Sequence, residues 1–425
     1  MEIKTIYSKF LECSSVSTDT RKIDKNSLFV ALKGENFDAN TFTKEALEKG
    51  AKYVIIDNKD FYIDERTIIV DDSLKALQEL ANFHRKKLQL PIISLTGSNG
   101  KTTTKELINV VLSKKFKTIA TIGNLNNHIG VPLTLLRLSK ETEIGIIEMG
   151  ANHQKEIKFL CTIAEPDFGY ITNFGKAHLE GFGGVEGVIK GKSEMYTYLK
   201  ENNGIVFVNL DDTIQNEKSK LLNRYTFSQE NKDANVFITS VATNPMVTIG
   251  YNDFEIQSNL IGIYNANNIN AAVTIGKYFK VDDEAIKKAI ENYIPENNRS
   301  QLIRKNGNEI ILDAYNANPS SMHAALINFF QLDNNPKIAI LGDMFELGDE
   351  SFVEHKKIVD LAVSHPEIKI YFVGKHFFQV KKELKNILFF EDYESFSNTF
   401  KSVSDSFFLI KGSRGMALER TLDLL

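Results

Sequence analysis

Residues 92–106 read IISLTGSNGKTTTKE, and this stretch decides the fold. Ile92 to Thr96 form a short apolar run directly after Pro91, the pattern of a buried strand. Gly97 and Gly100 interrupt it, and from Lys101 onward the residues suit a helix. A strand running through a glycine loop and a Lys-Thr pair into a helix is the context that phosphate binding requires. Gly97, Ser98, Asn99 and Gly100 let backbone amides approach phosphate oxygens. Lys101 would reach the outer phosphates, the Thr102 hydroxyl can ligate magnesium, and Thr103 follows on the same turn. The general motif is matched in its second half only, because Leu95 stands where a first glycine is usual. The bland alternative is a strand-turn-helix with an exposed lysine.

Working outward, the chain divides into three α/β units. Upstream, SLFVAL (27–32), a helical stretch near Thr43 to Lys49 and YVIID (53–57) form a small α/β unit. A helix from Ser73 to Leu88 closes this unit at about residue 89. Downstream, IGIIEM (144–149) and FGYIT (168–172) alternate with helical patterns, as a parallel sheet with crossover helices demands. Residues 235–260 break that rhythm with short alternating segments, read as antiparallel strands at the sheet edge. A helix follows from Asn265 to Phe279. Beyond PENNRS (295–300), the strands EIILDAY, KIAIL, IYFV and SFFLIK alternate with helices as a doubly wound unit. The expected class is therefore α/β with three domains. These are a small N-terminal α/β domain (1–89), to which the resemblance given below assigns substrate binding, a central phosphate-loop ATPase-like parallel-sheet domain (90–297) and a C-terminal Rossmann-like domain (298–425).

The 425 residues exceed the usual single-domain length, in agreement with this division. A net charge of -4 supplies no broad basic field, so nucleic acid is not an expected partner. Cys13 and Cys161 are far apart, which suggests neither a disulfide framework nor a cysteine metal site and fits a reducing compartment. The first residues lack the apolar core of a signal peptide, and no apolar run is long enough to span a membrane. A cytoplasmic protein is the expectation.

Glu148 ends the strand IGIIEM, at the sheet edge where ligands of such folds collect, and could face Thr102 across one metal ion. A surface or capping Glu is the alternative. GxxGKT followed by further threonines, EMGANHQKEI (148–157), AHLE (177–180) and GKSE (191–194) together resemble the Mur ligase family. The resemblance covers nearly the whole chain, with motifs in family order. It implies that Glu148 and His178 bind magnesium ions, two in all, and that Lys192 is carbamylated so that it can hold the second ion. On composition alone His178 would be discarded, since hard cations prefer oxygen.

The same resemblance implies an ATP-dependent ligase that activates a carboxylate as an acyl phosphate, with Lys101, Lys192, His178, Glu148 and Arg299 as catalytic residues. Asn265 and Asn268, three apart on one helical face, would read adenine, with Tyr264 where a histidine is usual. Arg299 would reach the γ-phosphate and Asp313 the ribose. DAYNANPSSM (313–322), LGDMFELG (341–348) and KGSRGM (411–416) resemble the family member that adds D-alanyl-D-alanine to UDP-N-acetylmuramoyl-tripeptide. Tyr315, Asn316, Asn318, Ser413 and Arg414 would then grip or orient the dipeptide and acyl phosphate. Toward the start, TDTRKI (18–23), SLFVALKGENFDAN (27–40) and IGNLNNHIGVP (122–132) resemble the uridine-nucleotide and muramoyl-peptide contacts. They nominate Asp19, Arg21, Ser27, Lys33, Gly34, Asn36, Asp38, Asn126 and Asn127, although Asp38-Ala39-Asn40 replaces a more usual Asp-Gly-His. A monomer is expected. The rivals are the family ligase that adds the third amino acid, folylpolyglutamate synthase, and a regulatory protein that binds nucleotide without ligating anything. The absence of a DNPR-like segment argues against the first.

Overall fold

The computed structural model describes residues 2–296 and 298–425. Asn297, read above as the last residue of the central unit, lies outside the described residues, as does Met1. Three sheets organise the chain, with a two-stranded hairpin beside the first. The N-terminal sheet is parallel, in the order Val16–Ser17, Leu28–Val30, Tyr53–Ile56, Thr67–Ile69. The helix Ser73–Leu88 leaves it, begun by Asp72, whose carboxylate accepts from Lys75 N at 2.9 Å, and ended by Gln89 at φ 53°. Its buried Ala76, Leu77, Leu80 and Ala81 belong to the hydrophobic core that continues into the central unit.

The central sheet has nine strands. Their order is Phe254–Ile261, Met246–Tyr251, Val236–Thr243, Asn223–Ser228, Ile205–Asn209, Phe168–Ile171, Ile92–Thr96, Ile144–Glu148, Thr118–Ala120. The seven strands from Val236–Thr243 to Thr118–Ala120 run parallel, whereas the last two pairings at the opposite edge are antiparallel. Of the segments in 235–260 read as antiparallel, Val236–Thr243 pairs antiparallel on one side only and parallel with Asn223–Ser228 on the other. Ile92–Thr96 thus lies between two parallel neighbours and is buried along its whole length, which explains its unbroken apolar character. The helix Lys101–Leu112 packs on Ala266–Tyr278 and buries Leu107, Ile108, Val111 and Leu112. Burial of each such side chain contributes about 1.5–3 kcal/mol relative to exposure.

The C-terminal sheet has six strands, in the order Gln301–Lys305, Asn308–Asp313, Phe407–Lys411, Lys337–Gly342, Lys369–Val373, Ile387–Phe390. Only the first pair is antiparallel. Sequence order reverses beside Phe407–Lys411, and a crevice opens past the carboxyl ends of the strands at such a point. Among the described residues no helix is long and apolar enough to cross a membrane.

Candidate active site

Register decides what faces the glycine loop. Leu95 pairs with Glu148 on one side, and Thr96 pairs with Ile171 on the other. The loop therefore emerges between the end of the Glu148 strand and the segment Thr172–Lys176. Both loop glycines are required by their surroundings. Gly97 has φ 148°, and a Cβ there would meet Thr172 Oγ1 at 1.9 Å. Gly100 has φ 79°, and its Cβ would meet Asn268 Oδ1 at 2.4 Å. A side chain at either position would push the loop off its neighbours.

The loop is held from below. Asn173 accepts Ser98 N at 3.1 Å through its carbonyl and Asn99 N at 3.0 Å through Oδ1. Thr172 Oγ1 and Asn173 Nδ2 donate to the Asn99 carbonyl at 2.5 and 3.0 Å. Gly100 offers the helix beginning at Lys101 no side-chain cap, so the first helical N–H groups are left for a ligand. Lys101 Nζ folds over the loop and donates to the Gly97 and Ser98 carbonyls at 2.8 and 3.3 Å. Burial lowers its pKa from the ordinary lysine value; the Glu148 carboxylate pulls the other way and Arg299 adds to the lowering.

Glu148 is 1% exposed. Its Oε1 accepts from Asn126 Nδ2 at 2.8 Å and Thr102 Oγ1 at 3.3 Å, and its amide donates to Thr121 Oγ1 at 3.0 Å. Its Oε2 is buried with no hydrogen-bond partner. A carboxylate oxygen left unpaired in this way costs free energy unless a cation meets it. The residues thus fit a magnesium ion, which takes one or two protein oxygens and completes its shell with water and phosphate. No three His, Cys, Asp or Glu side chains converge as a preformed cage among the described residues, so protein ligands alone would not saturate the ion. His178 stands at φ 53°, and its Nδ1 lies in ion-pair contact with Glu346 of the C-terminal unit, without hydrogen-bond geometry. Lys192 is 1% exposed, and its Nζ lies 5.2 Å from the centre of the Phe182 ring. It has no ion-pair partner among the described residues, and burial, with Lys101 nearby, pushes its pKa well below the ordinary value. The Glu156 carboxylate pulls the other way.

The facing wall comes from the C-terminal unit. The Arg299 guanidinium stacks 3.6 Å over the Tyr315 ring, and its Nε is buried without a partner. Asp313 accepts from Ser300 N at 3.1 Å and from Lys411 Nζ at 2.5 Å, and Tyr264 Oη lies 2.9 Å from Ser300 Oγ. Asn268 Oδ1 accepts from Thr104 at 3.0 Å, Asn268 Nδ2 donates to Asn265 Oδ1 at 2.8 Å, and Asn265 Nδ2 donates to the Ile261 carbonyl at 2.7 Å. One N–H on each amide remains for a ligand. Asn318 caps the helix Pro319–Gln331 in a capping box and donates to Asn99 Oδ1 at 2.7 Å, joining the two walls.

One cavity of about 1000 Å³ collects most of these groups: Ser98 to Thr103, Asn126, Asn127, Glu148, His178, Asn265, Asn268, Arg299, Asp313, Tyr315, Asn316 and Asn318. Other nominated residues are not among those lining it. Lys192 lies beneath, Ser413 is buried with its hydroxyl between Phe345 N and the Ala317 carbonyl, and Arg414 pairs with Glu419 at the surface. The N-terminal candidates sit in the first unit. Asp19 and Arg21 pair with each other, Lys33 pairs with Asp57, Asp38 accepts from Asn40, and Gly34 belongs to the hairpin beside the exposed Asn36. Ser27 is fully buried. Sequence reasoning missed Lys411, Asn173, Lys176 and Ser320. Only Lys411 carried a signal, as a cation ending an otherwise apolar strand.

Comparison with known proteins gives one family for all three units. Residues 12–85 match the Mur ligase family catalytic domain, 95–276 the Mur ligase middle domain, and 298–414 the Mur ligase glutamate ligase domain. The UDP-N-acetylmuramoyl-tripeptide--D-alanyl-D-alanine ligase of Bacillus subtilis is 35% identical, across 95% of this chain and 91% of its own. The chain belongs to the Mur ligase family. The Escherichia coli ligase of the same name is 34% identical, over 97% and 93% of the two chains. Among solved structures, MurF from Acinetobacter baumannii superposes with a TM-score of 0.85 at 30% identity, covering 99% of this chain and 97% of that one. MurF ligase from Thermotoga maritima, solved in complex with ADP, gives 0.84 at 27% identity, with 98% and 97% covered. The three-domain α/β class agrees with these neighbours.

Proposed function

We propose that this Mur ligase joins D-alanyl-D-alanine to UDP-N-acetylmuramoyl-tripeptide at the expense of ATP, forming the pentapeptide precursor of peptidoglycan. The observation that carries this reading is the single cavity lined from both units, phosphate loop on one wall and Arg299, Tyr315 and Asn318 on the other. A terminal carboxylate of the tripeptide attacks the γ-phosphorus, ADP departs, and an acyl phosphate results. The dipeptide nitrogen then attacks the acyl carbon, phosphate leaves, and the nitrogen gives up a proton.

In this reading the loop amides, Lys101 and Arg299 neutralise the phosphate oxygens as the carboxylate approaches. Thr102, Glu148, His178 and Lys192, once carbamylated, would hold two magnesium ions, which would offset the charge of the meeting anions. Asn265, Asn268 and Asp313 orient the nucleoside, while Asn126, Asn127, Asn316 and Asn318 orient the peptide partners. The divisions 1–89, 90–297 and 298–425 serve respectively to bind the uridine nucleotide, bind ATP and present the dipeptide. The enzyme works as a monomer in the cytoplasm.

The test is incubation with ATP, magnesium, the uridine-linked tripeptide and D-alanyl-D-alanine, followed by the product mass. The expected result is phosphate release only when both acceptors are present, with a mass gain of one dipeptide. Release with a single amino acid in place of the dipeptide would sink the assignment in favour of another family member.

A further inference from the structure

Between the phosphate loop and the C-terminal unit runs the segment Thr172–Lys176, bonded on both sides. Toward the loop, Thr172 and Asn173 grip Asn99, and the Gly175 carbonyl accepts from Ser98 Oγ at 2.6 Å. Toward the C-terminal unit, Lys176 N donates to Ser320 Oγ at 2.9 Å, in the first turn of the helix Pro319–Gln331. Lys176 Nζ reaches Glu354 Oε1 at 2.7 Å, on the helix Ser351–Val363. Glu354 is 3% exposed, and the same oxygen accepts from Lys357 on its own helix at 2.8 Å. A carboxylate so deeply buried needs its cations, and one of the two comes from the other unit.

We infer that Lys176 and Glu354 form a clasp that docks the C-terminal unit onto the segment bracing the phosphate loop, and so are positioning residues for attack by the incoming amine. The placement has a physical consequence. Two bonds separate Ser98 in the loop from Glu354, Ser98 to Gly175 and Lys176 to Glu354, with one peptide unit between them. A change in loop conformation therefore reaches the wall that holds Asn316 and Asn318 without crossing the cavity. Lys176 and Glu354 are not among the residues lining the cavity, although their neighbours Gly175 and Ser320 are. Loss of the clasp would therefore be felt in dipeptide use while nucleotide affinity stays as it was.

The inference rests on the ligase reading above, and the experiment separates the two. Lys176→Met, Glu354→Gln and the double variant of the full chain are compared with wild type in steady-state ligation, in binding of ADP, and in small-angle scattering with and without ADP and magnesium. Lys176→Met decides the matter because its side chain is 39% exposed and Glu354 keeps its bond from Lys357, so the variant is expected to fold, which its melting curve checks. The expected result is a rise of about tenfold in KM for D-alanyl-D-alanine in each single variant. The double variant should be no worse than the worse single one, since one contact is lost in all three. ADP affinity should stay within about twofold, and wild type is expected to become more compact with ADP and magnesium than Lys176→Met does. Wild-type KM and compaction in Lys176→Met would overturn the clasp, as would effects that add in the double variant. A wild-type enzyme inactive with both acceptors but still compacting through Lys176 would sink the ligase reading and leave the clasp standing.

Discussion

The two walls of the cavity are built differently. The phosphate-loop wall grows from one sheet: Gly97, Gly100, Thr102 and Glu148 are fixed by strand register and by hydrogen bonds inside the central unit. The opposite wall belongs to another sheet and meets the first across contacts that include Asn318 to Asn99, Lys176 to Glu354 and His178 to Glu346. Covalent proximity and a shared ladder preorganise the first wall, whereas the second is positioned only by docking. On the proposed reading Lys101 and Glu148 act from the preorganised side, whereas Arg299 and the residues that meet the dipeptide act from the docked side.

Removal of a charge from the preorganised wall should do the most damage. Lys101→Ala is expected to lower kcat by about a thousandfold or more while leaving the melting temperature near that of wild type, because the side chain bonds only to its own loop. Near-normal turnover would remove Lys101 from the phosphate site. Lys192→Ala comes next, with activity lost by about a hundredfold or more and partly restored by a short carboxylic acid that replaces the carbamate. Activity without the acid would show that the buried amine is structural.

The docked wall offers a subtler substitution. Asn318→Asp keeps an N-cap for the helix Pro319–Gln331 but removes the N–H given to Asn99 and sets a carboxylate against it. Calorimetry should find stability changed by less than about 1 kcal/mol, with KM for the dipeptide raised several-fold. An unchanged KM would break the contrast between the walls, since crossing contacts would then be idle. The smallest effect is expected of Arg414→Ala, whose exposed pair with Glu419 contributes less than about 0.5 kcal/mol. A tenfold loss of ligation there would bring Arg414 back into the dipeptide site.

Much of the site was legible because its elements are local. The strand Ile92–Thr96, the helix Ser73–Leu88 and the antiparallel edge lie in the stretches where the apolar patterning placed them. Lys176 was passed over because nothing in GKAH tells a loop lysine from a surface one. Glu354 looks like one more acid on a charged helix until its burial is seen. Asn126 reads as a substrate amide, and nothing in its neighbourhood along the chain shows that one of its N–H groups goes to Glu148, 22 positions away.

The sequence by itself determined the order of strands and helices, the glycine loop and the residue types that meet phosphate, since these follow from backbone conformation and side-chain periodicity over a few neighbouring positions. Only the tertiary structure decided that Glu148 keeps one oxygen unpaired, that Asp313 is held by Lys411 from 98 positions away, and that Glu354 draws a cation from another unit. Those facts depend on sheet order and on which surfaces exclude water, and neither is written in the spacing of residues along the chain.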